Sequence, residues 1–163
     1  MEGYLNVDLC LLEGVDVVAD LHKIPWPFRD DQFEIILCNH YIEHAKDIVQ
    51  TMEEINRIGK NGCQVVIRTP YFANYESFRD PTHRWHLTWE SLDYFTTNSP
   101  RSSYFTKCKF RMVKKKLTFA HPWRHPGYYL FRLNVRTYEK YFSHLFPGTW
   151  LIVQMEVSKE LKD

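Results

Sequence analysis

The feature that most constrains this chain is a change of period partway along it. "FEIILCN" reads as an apolar strand from Phe33 to Cys38, interrupted only by Glu34. From Asp47 the apolar residues recur at Ile48, Met52, Ile55 and Ile58, with Glu53, Glu54 and Arg57 off that face. "GKNG" (Gly59–Gly62) then ends the helix and turns the chain, and "CQVVIRTP" reads as the next strand, stopped by Pro70. A short continuous apolar run suits a central parallel strand buried on both faces. Spacing of three and four suits a helix with one face on a core. Strand, helix, strand in this order predicts an α/β layered domain with a mainly parallel sheet.

Two more strand candidates precede this unit. "YLNVDL" (Tyr4–Leu9) carries Asp8, and Val15, Val17 and Val18 lead to Asp20. "PWPF" (Pro25–Phe28) breaks regular structure and "RDDQ" reads as a polar turn. Beyond Pro70 the pattern is looser. Residues 71–87 read as a loop rich in His, Arg and aromatics, and Thr88 is placed to cap a short helix carrying Trp89, Leu92 and Phe95. Residues 107–119 alternate, with Lys107, Lys109 and Arg111 against Cys108, Phe110 and Met112. Tyr138, Tyr141, Phe142, Leu145 and Phe146 share one helical face, and Trp150–Val157 is a last strand. The two closing strands, separated by a long excursion, suggest an antiparallel pair at the sheet edge.

With 163 residues and 44% hydrophobic content, the chain reads as a single domain over 1–163 with a sizeable core. A net charge of +1 gives no field that draws it to nucleic acid or acidic lipid. The basic run from Lys107 to Lys116 reads as a solvated face, because Phe110 alternates onto the opposite side. Cys10, Cys38, Cys63 and Cys108 show no C-x-x-C spacing and read as reduced, mostly buried thiols. No signal sequence and no apolar run of membrane-spanning length is present, so a cytoplasmic protein without a membrane span is expected.

"CNHYIEH" (residues 38–44) raises a sharper question, because His40, Glu43 and His44 fit H-x-x-E-H, a zinc-peptidase pattern. That chemistry needs the motif well inside a helix, where two histidines four apart share a face. Here it directly follows an apolar strand. His40 is therefore expected to be a pocket residue. Glu43 and His44 are expected to start the next helix, in capping or surface roles, and no metal is expected. Two other histidine pairs, His83 with His86 and His121 with His125, lack a supporting cysteine or carboxylate pattern.

The ordered series "VD…VADLHKIPWPFRDDQFEIILCNHYIEHAKDIVQTMEEINRIGKNGCQVVIRTP", followed by "FRDPTHRWHLTWESLDYF", resembles the class I S-adenosylmethionine-dependent methyltransferases. The likeness covers about the first 70 residues in register and continues into the second segment. It implies a Rossmann-like sheet, mostly parallel with an antiparallel C-terminal strand, and S-adenosylmethionine as cofactor. Carried over by position, Asp8 would hold the cofactor ribose, Asp20 the adenine amine, and Leu21 the face of its ring. Asn39 and His40, just after the central strand, would complete the cofactor crevice. In open α/β sheets ligands sit at the carboxyl ends of strands, so these residues should converge.

The resemblance also marks a gap. The family's first strand and glycine-rich turn have no counterpart among Gly3, Gly14, Gly59, Gly62, Gly127 and Gly148. The fold is therefore expected to be incomplete, an N-terminally truncated domain, with the missing strand between those of Tyr4–Leu9 and Phe33–Cys38; another chain or a rearranged pairing that fills the gap is the alternative. Two inner strands would then show unpaired backbone and apolar surface. Catalytic candidates are His40, as a base beside the cofactor, and His83 on the overhanging loop. Tyr71, Asp80 and His86 are further acceptor-side candidates. The expected acceptor is a small molecule or a glycan- or lipid-linked group, with homodimerisation through the aromatic region 123–146 as an option. A non-catalytic remnant acting as a binding or assembly module is the rival expectation.

Overall fold

The structure, a computed structural model, describes residues 3–97, 104, 106–121 and 125–159. Two parallel pairs of strands carry its first half. Strands β1 (Val7–Asp8) and β2 (Val17–Val18) form a small sheet of their own. Strand β3 (Phe33–Asn39) pairs in parallel with β4 (Gly59–Pro70), and helix α1 (Ile48–Ile58) connects them. Helix α2 (Glu76–Arg79) and a 3-10 turn (Ser91–Phe95) follow. Strand β5 (Lys109–Leu117), helices α3 (Pro126–Leu133) and α4 (Val135–Tyr141), and strand β6 (Trp150–Ser158) complete the order. The larger sheet runs β3-β4-β6-β5, with β6 antiparallel to both neighbours. It is a mixed Rossmann-like sheet whose closing pair is antiparallel, as the sequence pattern suggested.

Helix α1 follows the expected period closely. Met52, Ile55 and Ile58 are buried on one face. Asp47 caps it, its Oδ1 accepting from the N–H groups of Val49 and Gln50 at 2.8 and 3.0 Å. Glu43 and His44 therefore do not start this helix. Residues 42–44 form a turn ahead of it, and Glu43 is only 1% exposed, which corrects the expectation of a surface role. The sheet core comes from cross-strand pairs on one face: Val65 with Met155, Ile67 with Val153, and Thr69 with Leu151.

Four other expectations change. The strands at Tyr4–Leu9 and Val15–Asp20 shrink to two residues each, because they pair only with one another. Strand β3 is not buried on both faces. Ile35 is 48% exposed and Leu37 61%, while Cys38 is buried. Among the described residues β3 has a ladder partner on one edge only, β4, and no hydrogen-bonded strand joins it to β1. The basic strand is not uniformly solvated either. A bulge between Met112 and Lys114 shifts its register. Lys115 thereby turns inward, bonds Asp93 at 2.7 and 2.8 Å and lies 4.8 Å from the Trp89 ring centre. Finally, the helix expected to run through Phe146 ends at Tyr141, where Tyr141 and Leu145 are exposed and Tyr138 is buried.

The aromatic region packs on the sheet through Phe119, Tyr128, Phe131 and Tyr138. Residues 123 and 124, at the start of the region expected to dimerise, lie outside the described residues. No helix among the described residues is long and apolar enough to cross a membrane.

Candidate functional site

A cleft of about 1250 Å³ separates the small sheet from the edge of β3. Its walls are built by the strand ends. From β1 and its turn come Val7, Asp8 and Leu9; after β2 come Asp20 and Leu21; β3 contributes Ile35, Leu37 and Asn39, followed by His40. All five expected cofactor residues, Asp8, Asp20, Leu21, Asn39 and His40, line this one cleft. They reach it because parallel strands aligned in one direction end on one side, which is where open α/β sheets bind ligands.

The two carboxylates are set by short turns. Asp8 Oδ1 accepts from the Cys10 N–H at 2.9 Å, and Asp20 Oδ1 accepts from the His22 N–H at 3.1 Å. The His22 N–H, with Lys23 close by, holds the Asp20 carboxyl below its ordinary value, so it stays an acceptor. The floor under Leu21 is firm. Its carbonyl accepts from Trp26 Nε1 at 2.9 Å and from the Tyr41 hydroxyl at 3.0 Å.

His40 has φ +53°, a left-handed backbone that a non-glycine side chain adopts only at a cost. Its N–H donates to the Arg68 carbonyl at 2.9 Å, which holds the turn against β4. The imidazole stands edge-on to Trp150, 4.7 Å between ring centres, and its Nδ1 lies 3.1 Å from Glu43 Oε1. A carboxylate oxygen only accepts, so Nδ1 donates and Nε2 is the nitrogen that this contact leaves free. Burial, with the Glu43 charge adding, pushes the neighbouring Cys38 thiol up to about 12, which keeps it a neutral thiol.

The loop after β4 overhangs the cleft through Pro81, Thr82 and Arg84. Its predicted acceptor residues lie elsewhere. Tyr71 is fully buried and donates its hydroxyl to Glu139 Oε1 at 2.9 Å, on the side of helix α4. Burial and the Glu139 charge push its phenol far above the ordinary range. His86 stacks on Phe78, ring centres 4.0 Å apart, with Nδ1 2.8 Å from Ser77 Oγ. Asp80 turns back to accept from the Thr82 N–H and hydroxyl at 2.8 and 2.7 Å. His83 does not line the cleft; its ring packs edge-on against His44, which does. The sequence reading missed Glu43 as the partner of His40. Their spacing of three across a turn was the available signal.

Residues 6–67 match a family model described as a methyltransferase domain. The match spans the first of the two segments that resembled a methyltransferase in the sequence, and it ends within β4. No curated protein matches the chain. Among solved structures, a S-adenosylmethionine-dependent methyltransferase from Listeria monocytogenes, described as putative, aligns with TM-score 0.58 at 8% identity, over 95% of this chain and 80% of its own. The YcgJ protein of Bacillus subtilis aligns with TM-score 0.54 at 16% identity, over 88% and 70%. A S-adenosylmethionine-dependent methyltransferase from Mesorhizobium loti aligns with TM-score 0.52 at 11% identity, over 85% and 67%. These likenesses show a methyltransferase-like α/β fold, with which this chain's mixed sheet and antiparallel closing strands accord.

Proposed function

We propose that this chain binds S-adenosylmethionine in the cleft between β1–β2 and β3, and that it transfers the methyl group to an acceptor presented beneath the loop after β4. The observation that carries this is the convergence of Asp8, Asp20, Leu21, Asn39 and His40 on one cleft, in a chain whose residues 6–67 match a methyltransferase-domain model. The chain's own donor set fits the nucleoside half of the cofactor. Asp8 accepts only through Oδ1 among the described residues, leaving Oδ2 for a ribose hydroxyl. Asp20 is an ionised acceptor for an amine, and Leu21 offers an apolar face beside it.

When bound, the cofactor supplies an electrophilic methyl on a sulfonium, whose positive charge makes the sulfur a good leaving group. The protein's work is then to align and to remove a proton. His40, oriented by Glu43, would take the proton from an acceptor O–H or N–H at Nε2. Positioning alone supplies as much as roughly 7–11 kcal/mol in ideal intramolecular cases. A small molecule or a glycan- or lipid-linked group suits an open cleft of this size. A cytoplasmic location accords with four free cysteines, two of them buried.

The edge of β3 that has no strand partner among the described residues, with Ile35 and Leu37 exposed, favours a second reading. In it the chain is a non-catalytic module that assembles through this edge. Calorimetric titration of S-adenosylhomocysteine separates the two. Micromolar binding that weakens about 10- to 100-fold in Asp8→Ala, the loss of one or two charge-assisted hydrogen bonds at roughly 1.5–3 kcal/mol each, supports the enzyme. Failure of the unsubstituted chain to bind, or an Asp8→Ala chain that binds equally well, removes it.

A further inference from the structure

The turn that carries His40 also builds a second constellation. Glu43, His44 and His83 each offer a ligand atom, and these atoms lie within 4.8 Å of one another; no other group of three is found among the described residues. The residues come from two segments, the turn after β3 and the loop after α2. The Arg84 and Trp85 N–H groups tie the segments together by donating to the Glu43 carbonyl at 2.7 and 3.2 Å.

The hydrogen bonds around the three side chains leave one ligand atom of each without a partner. His83 Nδ1 is 3.0 Å from the Ser77 carbonyl, which can only accept, so Nδ1 carries a proton and the neutral ring has its lone pair at Nε2. Thr82 donates its hydroxyl to Asp80 Oδ1 at 2.7 Å, so toward His44 Nδ1, at 3.0 Å, it accepts. The neutral His44 ring therefore has its lone pair at Nε2 as well. Metal-bound histidines typically show this arrangement, a ring N–H held by a carbonyl or by a relay to a carboxylate. Glu43 adds an independent sign. Its Oε1 meets His40, but its Oε2 is buried with no hydrogen-bond partner. A buried carboxylate oxygen without a partner is costly and calls for a ligand.

We propose that Glu43, His44 and His83 form a site for a divalent transition metal of the zinc class, with its fourth position open to the cleft beside His44. Two imidazole nitrogens and one carboxylate oxygen are a three-ligand set that zinc accepts with one position left for water or substrate. Bonds of about 2.0–2.1 Å put tetrahedral ligand atoms about 3.3 Å apart, so small side-chain rotations close the triangle. The helical zinc motif rejected from the sequence stays rejected, because His40 and His44 do not share a helix face. The second histidine comes from the distant loop instead. A metal here would hold an acceptor hydroxyl, phosphate or carboxylate against the cleft. The proposal does not depend on methyl transfer.

The test is titration of zinc chloride into the metal-free full chain carrying Cys10→Ser, which removes the exposed thiol, with cobalt absorption as a second readout. One ion per chain is expected, with a cobalt spectrum lacking thiolate charge-transfer bands. His44→Ala and His83→Ala should each weaken binding by tenfold or more. Thr82→Val sits on the exposed relay and should leave the fold intact while weakening binding about 10- to 100-fold. Circular dichroism of each variant separates lost binding from lost folding. Absence of stoichiometric zinc binding, thiolate bands, or a Thr82→Val chain binding like the parent would each overturn the site.

Discussion

Replacing Glu54 by Gln tests how the cleft wall is held. Glu54 sits on helix α1 with 7% of its side chain exposed. Its carboxylate accepts three N–H groups: Trp26 N at 2.7 Å, Arg57 Nε at 2.8 Å and Arg57 Nη2 at 2.7 Å. Arg57 also donates to the carbonyls of Phe28 and Trp26, at 2.8 and 3.1 Å, and to Asp30 at 2.7 Å. This clasp pins the segment that carries Trp26 and Phe28, both in the cleft wall. Glutamine keeps the shape but has one acceptor oxygen. Its amide must turn N–H against a guanidinium or a backbone N–H, so at least one donor faces a donor. Charge-assisted bonds contribute roughly 1.5–3 kcal/mol each, and removing one partner of a buried pair costs about 3–5 kcal/mol. Asp30 still faces Arg57 from solvent, so the lower end applies, about 3 kcal/mol. In a chain of this length that lowers Tm by about 6–12 °C.

The pH profile identifies the charge as the cause. Burial pushes the Glu54 carboxyl up, but bonds from Arg57 and the Trp26 N–H outweigh it and hold the group below its ordinary value of 4.5. A carboxyl depressed on folding stabilises the fold above its unfolded pKa, and the stabilisation is lost as pH falls through the folded one. The gap between parent and Glu54→Gln should therefore stay constant from neutral pH to about 4.5 and narrow below it. Thermal melts by circular dichroism at a series of pH values read both. A melt within about 1 °C of the parent at pH 7, or a gap that widens in acid, would refute the reasoning.

Two further outcomes follow from packing. Gly127, in the first turn of α3, abuts Phe146; a Cβ there would stand 2.8 Å from Phe146 Cβ and closer still to its carbonyl oxygen. Gly127→Ala should destabilise by about 1–3 kcal/mol in chemical denaturation, and an unchanged midpoint would mean that this contact is loose. With iodoacetamide at pH 8, mass spectrometry should find Cys10 labelled first, because it is exposed. Cys38 and Cys63 should label only on unfolding, since burial pushes their thiols up to about 12 and about 11. Early labelling of Cys38 would show that the turn after β3 opens readily.

Local pattern made much of this molecule legible in advance. Ile48, Met52, Ile55 and Ile58 stand on one face at any three-dimensional arrangement of a helix, and Asp47 caps it through its own backbone neighbours. The strand at Phe33, the strands around β4 and β6, and the order that resembles a methyltransferase are likewise properties of short segments. The ends of parallel strands gave the positions of Asp8, Asp20 and His40 for the same reason, because strand direction follows from connectivity.

What the sequence could not decide involves partners far along the chain. Whether Tyr71 faces the cleft depends on Glu139, which takes its hydroxyl from 68 residues away. Whether Lys115 is solvated depends on a bulge and on Asp93. Glu43 looked like a surface residue until the turn after β3 folded under the loop of residues 80–85, which buried its carboxylate and brought His83 to His44. Periodicity assigns a residue to a face of its own element. Only the packing of elements against one another decides what that face meets.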